Sequence, residues 1–204
     1  SLLHPELLEW KAISFSCIKQ TGDTLLWNEN LKILYASEVV FNNSIPSLSK
    51  GHTRPWVRGL EFLRALKPTH VIGSGTVSSF GDFETKALDF NITYLNLIYK
   101  IAKKDYLLGI FRDGNSLPEG LVDFIDTPGF DRRHNLNYQK VSREIELEAF
   151  NQNVKCPPLS KDFLEAKSKQ KFDGKLNDVV PLVSELVSPG IYTFRGNIAE
   201  FSKE

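Results

Sequence analysis

The chain has 204 residues, 41% of them hydrophobic and 25% charged, proportions that suit one globular domain or one domain with a long tail. Lys plus Arg equals Asp plus Glu at 25 each, so no overall field recruits nucleic acid or an acidic membrane surface. No unbroken apolar run approaches the roughly 20 residues that cross a bilayer, so no membrane span is expected.

Residues 1–10 form a short apolar and acidic lead with Pro5 as a breaker. Residues 11–18 alternate as a strand does: Ile13, Phe15 and Cys17 share one face and Ala12, Ser14, Ser16 and Ile18 the other. The turn Thr21-Gly22-Asp23 leads into a second strand over 24–27, and Asn28-Glu29-Asn30 is a hairpin signal before a third over 32–35. Residues 39–41 can continue that sheet beyond the Ser37-Glu38 corner, which completes a meander.

The stretch 42–50 is rich in Asn, Ser and Pro and reads as loop. Thr53 is placed to cap a helix whose first turn carries Pro55, with Trp56, Leu60, Leu63 and Leu66 as its buried stripe and Pro68 as its end. Val71 and Ile72 make a short buried strand, and 73–81 the loop after it. A long helix over 82–104 follows, with Phe83, Ala87, Phe90, Tyr94, Leu97 and Ile101 as its apolar side and Lys100, Lys103 and Lys104 at its negative end. Ser116 to Glu119 is a helix-start signal for a short helix over 119–125, stopped by Thr127-Pro128-Gly129. Further helices are expected over 138–150 and 160–171, and a hairpin over 190–201 turning at Gly196-Asn197. This organisation divides the chain into 1–105, a helical tail over 106–152, and an extension over 153–204.

A strand–helix–strand unit over 32–75 sets two loops at one end of a sheet, where α/β proteins usually keep their chemistry. Their tips carry Ser37-Glu38 and Gly73-Ser74-Gly75. The second could cradle an anion, but it lacks both the Lys-Ser/Thr ending of a P-loop and the spacing of a nucleophile elbow, and a plain turn is the better reading. Asp23 and Glu38 each stand at a strand end and could share a cleft as paired carboxylates; the plainer reading gives Asp23 a turn and Glu38 to solvent. Among the histidines His4, His52, His70 and His134, no pair has metal-ligand spacing; His52 should face solvent, and Arg132-Arg133-His134 should be a surface patch. Cys17 reads as a buried thiol, and spacing does not argue for a disulfide with Cys156. Methionine is absent and the chain starts at Ser1, which suggests a processed chain or a fragment of a longer one.

Taken together, the series KQTGDTLLW, LYASEVVF, IPSLSKG, PWVRGLEFLRALKP, VIGSGTVSSFGD and ALDFNITYL resembles the C-terminal half of a metallo-β-lactamase-fold hydrolase. The likeness is strongest to the periplasmic subgroup called quinoprotein-relay-system zinc metallohydrolases. It runs over about residues 13 to 148, and GNSLPEG followed by SREIELE resembles the segment after the fold in that subgroup. The resemblance implies an α/β (α+β) half sandwich, a sheet with flanking helices, followed by a mostly helical tail. It also implies that the subgroup's zinc-ligand positions fall here on Lys19 (or Gln20), Glu38 and Ser74. Lysine brings a competing charge, serine is a poor zinc ligand, and only Glu38 could coordinate.

The expectation is therefore a degenerate member with no zinc, no other cofactor and no catalytic residues of its own, kept for a structural or binding role. A protein partner or an absent N-terminal half would cover the sheet, in the periplasm or outside the cell, otherwise in the cytoplasm. Two alternatives stand beside it. One is a metal-dependent hydrolase whose remaining ligands come from that missing half or a partner. The other is a small-anion site built from Gly73, Ser74, Gly75, Lys19 and Asp23.

Overall fold

The computed structural model of the chain describes residues 9–15, 23–75, 86–110, 112, 120–150, 183–188 and 191–197. Its strands are β1 (Glu9–Phe15), β2 (Asp23–Asn28), β3 (Ile33–Asn42), β4 (His70–Gly75), β5 (Val183–Ser188) and β6 (Ile191–Asn197). Its helices are α1 (Thr53–Ala65), α2 (Lys86–Leu108) and α3 (Phe130–Ala149). The strands form one mixed sheet in the order β4-β3-β2-β1-β6-β5. Among the described strands only β3 and β4 run parallel, as the crossover through α1 requires. The chain is thus an α/β protein, as its hydrophobic patterning predicts.

The β1–β2–β3 meander follows from clean alternation. Ile13, Phe15, Leu25, Trp27, Leu34 and Ala36 are buried on the face that meets the helices, while Thr24, Leu26 and Tyr35 on the other face are exposed. The β2–β3 turn is tied by the Asn28 side chain, which accepts the Leu31 N–H at 2.8 Å. Helices α1 and α2 pack on each other and on β3, and α3 packs on α2. Trp56, Leu60 and Leu63 are fully buried on α1, as its stripe predicts.

Several boundaries move. Strand β1 starts at Glu9 and takes in part of the expected lead. Strand β4 runs to Gly75, so Gly73, Ser74 and Gly75 belong to the strand end rather than to a loop. Helix α2 continues to Leu108, and its last turn has no basic residue, so the lysines expected at its end lie short of it. The buried side of α2 centres on Ala87, Asn91, Tyr94, Leu95, Ile98 and Ala102, with Phe90 and Leu97 at its margin. Between Gly120 and α3 only a 3-10 turn forms over Val122–Phe124, in place of the expected helix over 119–125.

Helix α3 begins at Phe130, eight residues before the expected start at 138, because Gly129 in the left-handed region (φ 86°) turns the chain into it. In the C-terminal extension, β5 and β6 pair antiparallel, so the chain reverses between Ser188 and Ile191 and not at Gly196-Asn197, which close β6. Strand β6 pairs along all of β1, and the extension therefore enlarges the sheet edgewise. The helix expected over 160–171 lies outside the described residues, as do Phe83 and the start signal at 116–119.

Candidate functional site

Strand directions bring several of the predicted site residues to one end of the sheet. Because β2 runs antiparallel to β3 and β4 parallel to it, the start of β2 at Asp23 and the ends of β3 and β4 lie together. Asp23 itself pairs with Phe15 on β1. Lys19 lies outside the described residues.

The register of β3 against β4 makes a corner there. Ser37 is opposite Gly73 and Phe41 is opposite Ser74, so β3 advances four residues while β4 advances one. Glu38, Val39 and Val40 are the three extra residues, a bulge of the kind that re-aims side chains at strand ends. Ser37 adopts the left-handed region (φ 45°) to enter it. Val39 and Val40 turn inward and are buried, Glu38 and Ser37 are exposed, and Ser74 is half-buried.

A bulge leaves backbone groups without ladder partners, and side chains supply them here. The Trp56 indole N–H donates to the Val39 carbonyl at 2.8 Å. The Asn91 side chain accepts the Phe41 N–H at 3.1 Å and donates to the Phe41 carbonyl at 2.8 Å, standing in for a strand neighbour. Asn42 accepts the Gly73 N–H at 2.8 Å and donates to the Val71 carbonyl at 3.2 Å. All three side chains are fully buried. Gly73 is required by close approach: a Cβ there would lie 2.2 Å from the Val40 carbonyl oxygen and 2.4 Å from Asn42 Oδ1. The Gly73 N–H, one donor an anion cradle would use, is already taken by Asn42.

The loop leading to α1 is fastened to α3. Asn137 accepts the Leu48 N–H at 2.9 Å and donates to the Pro46 carbonyl at 2.7 Å. Arg133, expected in a surface patch, is half-buried over the Phe41 ring (5.4 Å) and donates to the Ile45 carbonyl. His134, from the same expected patch, is buried, stacked on Phe130 at 4.6 Å and within 3.2 Å of the Tyr94 hydroxyl. Burial holds its pKa below the ordinary histidine value. Of the three, Arg132 alone remains at the surface. Tyr94 and His134 are adjoining core groups with a structural role in joining α2 to α3.

His52 also departs from expectation. It stands just before α1 with its side chain 31% exposed, its Nδ1 enclosed and 3.6 Å from Glu144 Oε1 of α3. Thr53 does not cap α1 with its hydroxyl; instead the Glu144 carboxylate accepts the Thr53 N–H through Oε2 at 3.0 Å. A carboxylate at this end of a helix is favoured by the helix dipole.

Sequence reasoning does not single out Asn42, Asn91, Asn137 or Glu144. Asn91 carries a usable signal, since it interrupts the apolar side of a long helix at a position that must be buried. Glu144 carries none, because an acidic residue in SREIELE looks like any solvated helix face.

No family model matches the chain, and no curated protein matches it. Solved structures that are similar to it include a metallo-beta-lactamase from Pontibacter korlensis, at 14% identity over 43% of this chain and 42% of that one, with a TM-score of 0.36. Another is a metallo-beta-lactamase family protein from Thermus thermophilus, at 10% identity over 90% of this chain and 48% of that one, with a TM-score of 0.40. The chain spans less than half the length of either. Among the described residues no three His, Cys, Asp or Glu side chains group as a metal site, and no helix is long and apolar enough to cross a membrane.

Proposed function

We propose that the chain is a metallo-β-lactamase-like protein of the quinoprotein-relay type that has no zinc hydrolase centre of its own and serves a structural or binding role. The observation that carries this reading is the composition of the β3–β4 corner. Its frame is fully built, with Trp56, Asn91 and Asn42 holding the backbone, yet its tips present one carboxylate, Glu38, and two hydroxyls, Ser37 and Ser74. A hydrolytic zinc centre needs about three protein ligands and an activated water. Two serine hydroxyls and the Glu38 carboxylate do not fit that group. Periplasmic or secreted location belongs to the same proposal and rests on the same resemblance.

A second reading has one observation in its favour. Glu38 is a competent ligand at the correct corner, where Leu26 and Tyr35 are exposed on the sheet face away from the helices. A missing N-terminal half or a partner chain could supply both the cover and the remaining ligands, which would make the assembly a hydrolase. The small-anion reading has less support, because Asn42 already occupies the Gly73 N–H.

The test is a hydrolase panel of chromogenic β-lactams, thioesters and phosphodiesters, run on the chain with and without a chelator. The proposal expects no chelator-sensitive turnover. Turnover that a chelator abolishes and that Glu38→Gln also abolishes would overturn it.

A further inference from the structure

We propose that His134 is an acid-sensitive latch: protonating its ring releases the first turns of α3 from α2 and from the 45–48 loop. The latch uses His134, Tyr94 and Asn137, none of them part of the β3–β4 corner, and does not depend on the function proposed above.

The directions of the hydrogen bonds around Tyr94 fix the state of the histidine. Asn137 accepts the Leu48 N–H through Oδ1 at 2.9 Å, which leaves its Nδ2 as the donor. Nδ2 donates to the Pro46 carbonyl at 2.7 Å and to the Tyr94 hydroxyl oxygen at 3.1 Å. Among the described residues, the Tyr94 O–H then has His134 Nδ1 as its acceptor, at 3.2 Å. With Tyr94 donating, Nδ1 carries a lone pair and the imidazole is neutral. The bonds thus run one way, from Leu48 through Asn137 and Tyr94 to His134.

A proton on Nδ1 breaks that order. Hydrogens from Asn137, His134 and Tyr94 then crowd one oxygen, and the tyrosine hydrogen loses its acceptor. All three side chains are buried, so water reaches the stranded hydrogen only when the elements part.

Nothing around the ring offsets the new charge. From α2, Tyr94 is the titratable group that faces it. On α3, Asp131 is exposed, Arg133 is itself a cation bonded to the Ile45 carbonyl, and the Tyr138 hydroxyl is bonded to Asp105. The 3-10 turn reaches Tyr94 through Phe124, while Asp123 and Asp126 beside it are exposed. Residues 45–48, Ile-Pro-Ser-Leu, have no titratable group. The Phe130 ring stacked at 4.6 Å attracts a cation, an effect smaller than the lost hydration. Burial accordingly lowers the histidine's pKa.

The fastenings nearby decide what moves. The loop follows β3, which Asn91 of α2 holds at Phe41, and leads into α1, which packs on α2. Its ends therefore stay with α2, and withdrawal of α3 from Tyr94 draws Asn137 off the Leu48 N–H. A folded pKa below the unfolded one means that the open form takes the proton more readily. The latch is closed above the ordinary histidine value of about 6.5 and loses its hold as the pH falls through the folded value.

Hydrogen exchange of the Leu48 amide in the full chain, divided by the intrinsic rate at each pH, tests the proposal. The opening constant should rise about tenfold per pH unit below about pH 6.5. It should level off where the His134 ring, followed by NMR, titrates. The Leu60 amide in α1 should not follow it. His134→Gln should abolish the rise, and His52→Gln, which removes the other histidine near this loop, should leave it intact. An opening constant that stays flat between about pH 7 and 5 would overturn the proposal. A rise that persists in His134→Gln, or one shared equally by Leu60, would do the same. So would a His134 ring that titrates at or above its ordinary value, a measurement made on the parent chain and independent of how the variant folds.

Discussion

The β3–β4 corner and the N-terminal end of α1 are both buried polar sites fastened by side chains from distant parts of the chain, and they are finished to different degrees. At the corner, Asn91, Asn42 and Trp56 each meet backbone groups with good geometry. At the helix end, the Glu144 carboxylate accepts the Thr53 N–H through one oxygen and faces His52 Nδ1 at 3.6 Å through the other. The corner is closed by short hydrogen bonds to the backbone, and the helix end by one hydrogen bond and a longer ion pair.

The largest test breaks the finished site. Asn91→Ala removes both side-chain bonds to the buried Phe41 backbone, at about 1–3 kcal/mol each, so a loss of about 4 kcal/mol is expected in urea unfolding. A loss below about 1 kcal/mol would mean that other groups can close the bulge. Gly73→Ala forces a Cβ against the Val40 carbonyl and should cost about 3 kcal/mol, measured the same way.

A third finished site sharpens the contrast. Asp105, fully buried at the end of α2, accepts bonds from Arg112 and from the Tyr138 hydroxyl. The Arg112 guanidinium, and then the Tyr138 hydroxyl, hold its carboxyl below the ordinary carboxylate range against the opposing effect of burial. A depressed folded pKa contributes stability above the unfolded value that is lost as pH falls through the folded one. Stability should therefore drop as the pH is taken below about 4, and Asp105→Asn should flatten that drop while costing about 2 kcal/mol at neutral pH. Urea midpoints across a pH series check both.

The smallest effect belongs to the unfinished site. Glu144→Gln keeps an acceptor for the Thr53 N–H and removes the charge that favours the helix end and faces His52, so about 0.5–1 kcal/mol is expected. A loss several times larger would show that the carboxylate is already fully used.

Much of the fold is legible from hydrophobic periodicity. The alternation through Ile13, Phe15, Leu25 and Trp27 and the stripe Trp56, Leu60 and Leu63 place the sheet and α1 close to their true positions. Periodicity starts α3 eight residues late because its first turns, Phe130 to Asn137, bury His134 and Asn137, polar residues that a hydrophobic pattern scores as surface. The two site loops are legible as a place, since topology alone puts them at one sheet end. The residues that hold the corner are not. Asn42, Asn91 and Trp56 act over separations of 17 to 50 positions, through backbone groups that no sequence pattern announces. His52 escapes for a related reason: its partner Glu144 comes from another helix, and polar loop composition says nothing about what packs on it.

The central claim is that this corner persists as a frame without a hydrolytic metal centre. It is tested most directly by measuring chelator-sensitive hydrolysis and bound zinc together in the parent chain and Glu38→Gln. The account predicts no chelator-sensitive turnover in either, and a zinc content that Glu38→Gln leaves unchanged. Chelator-sensitive turnover in the parent chain, lost together with its zinc in Glu38→Gln, would contradict it.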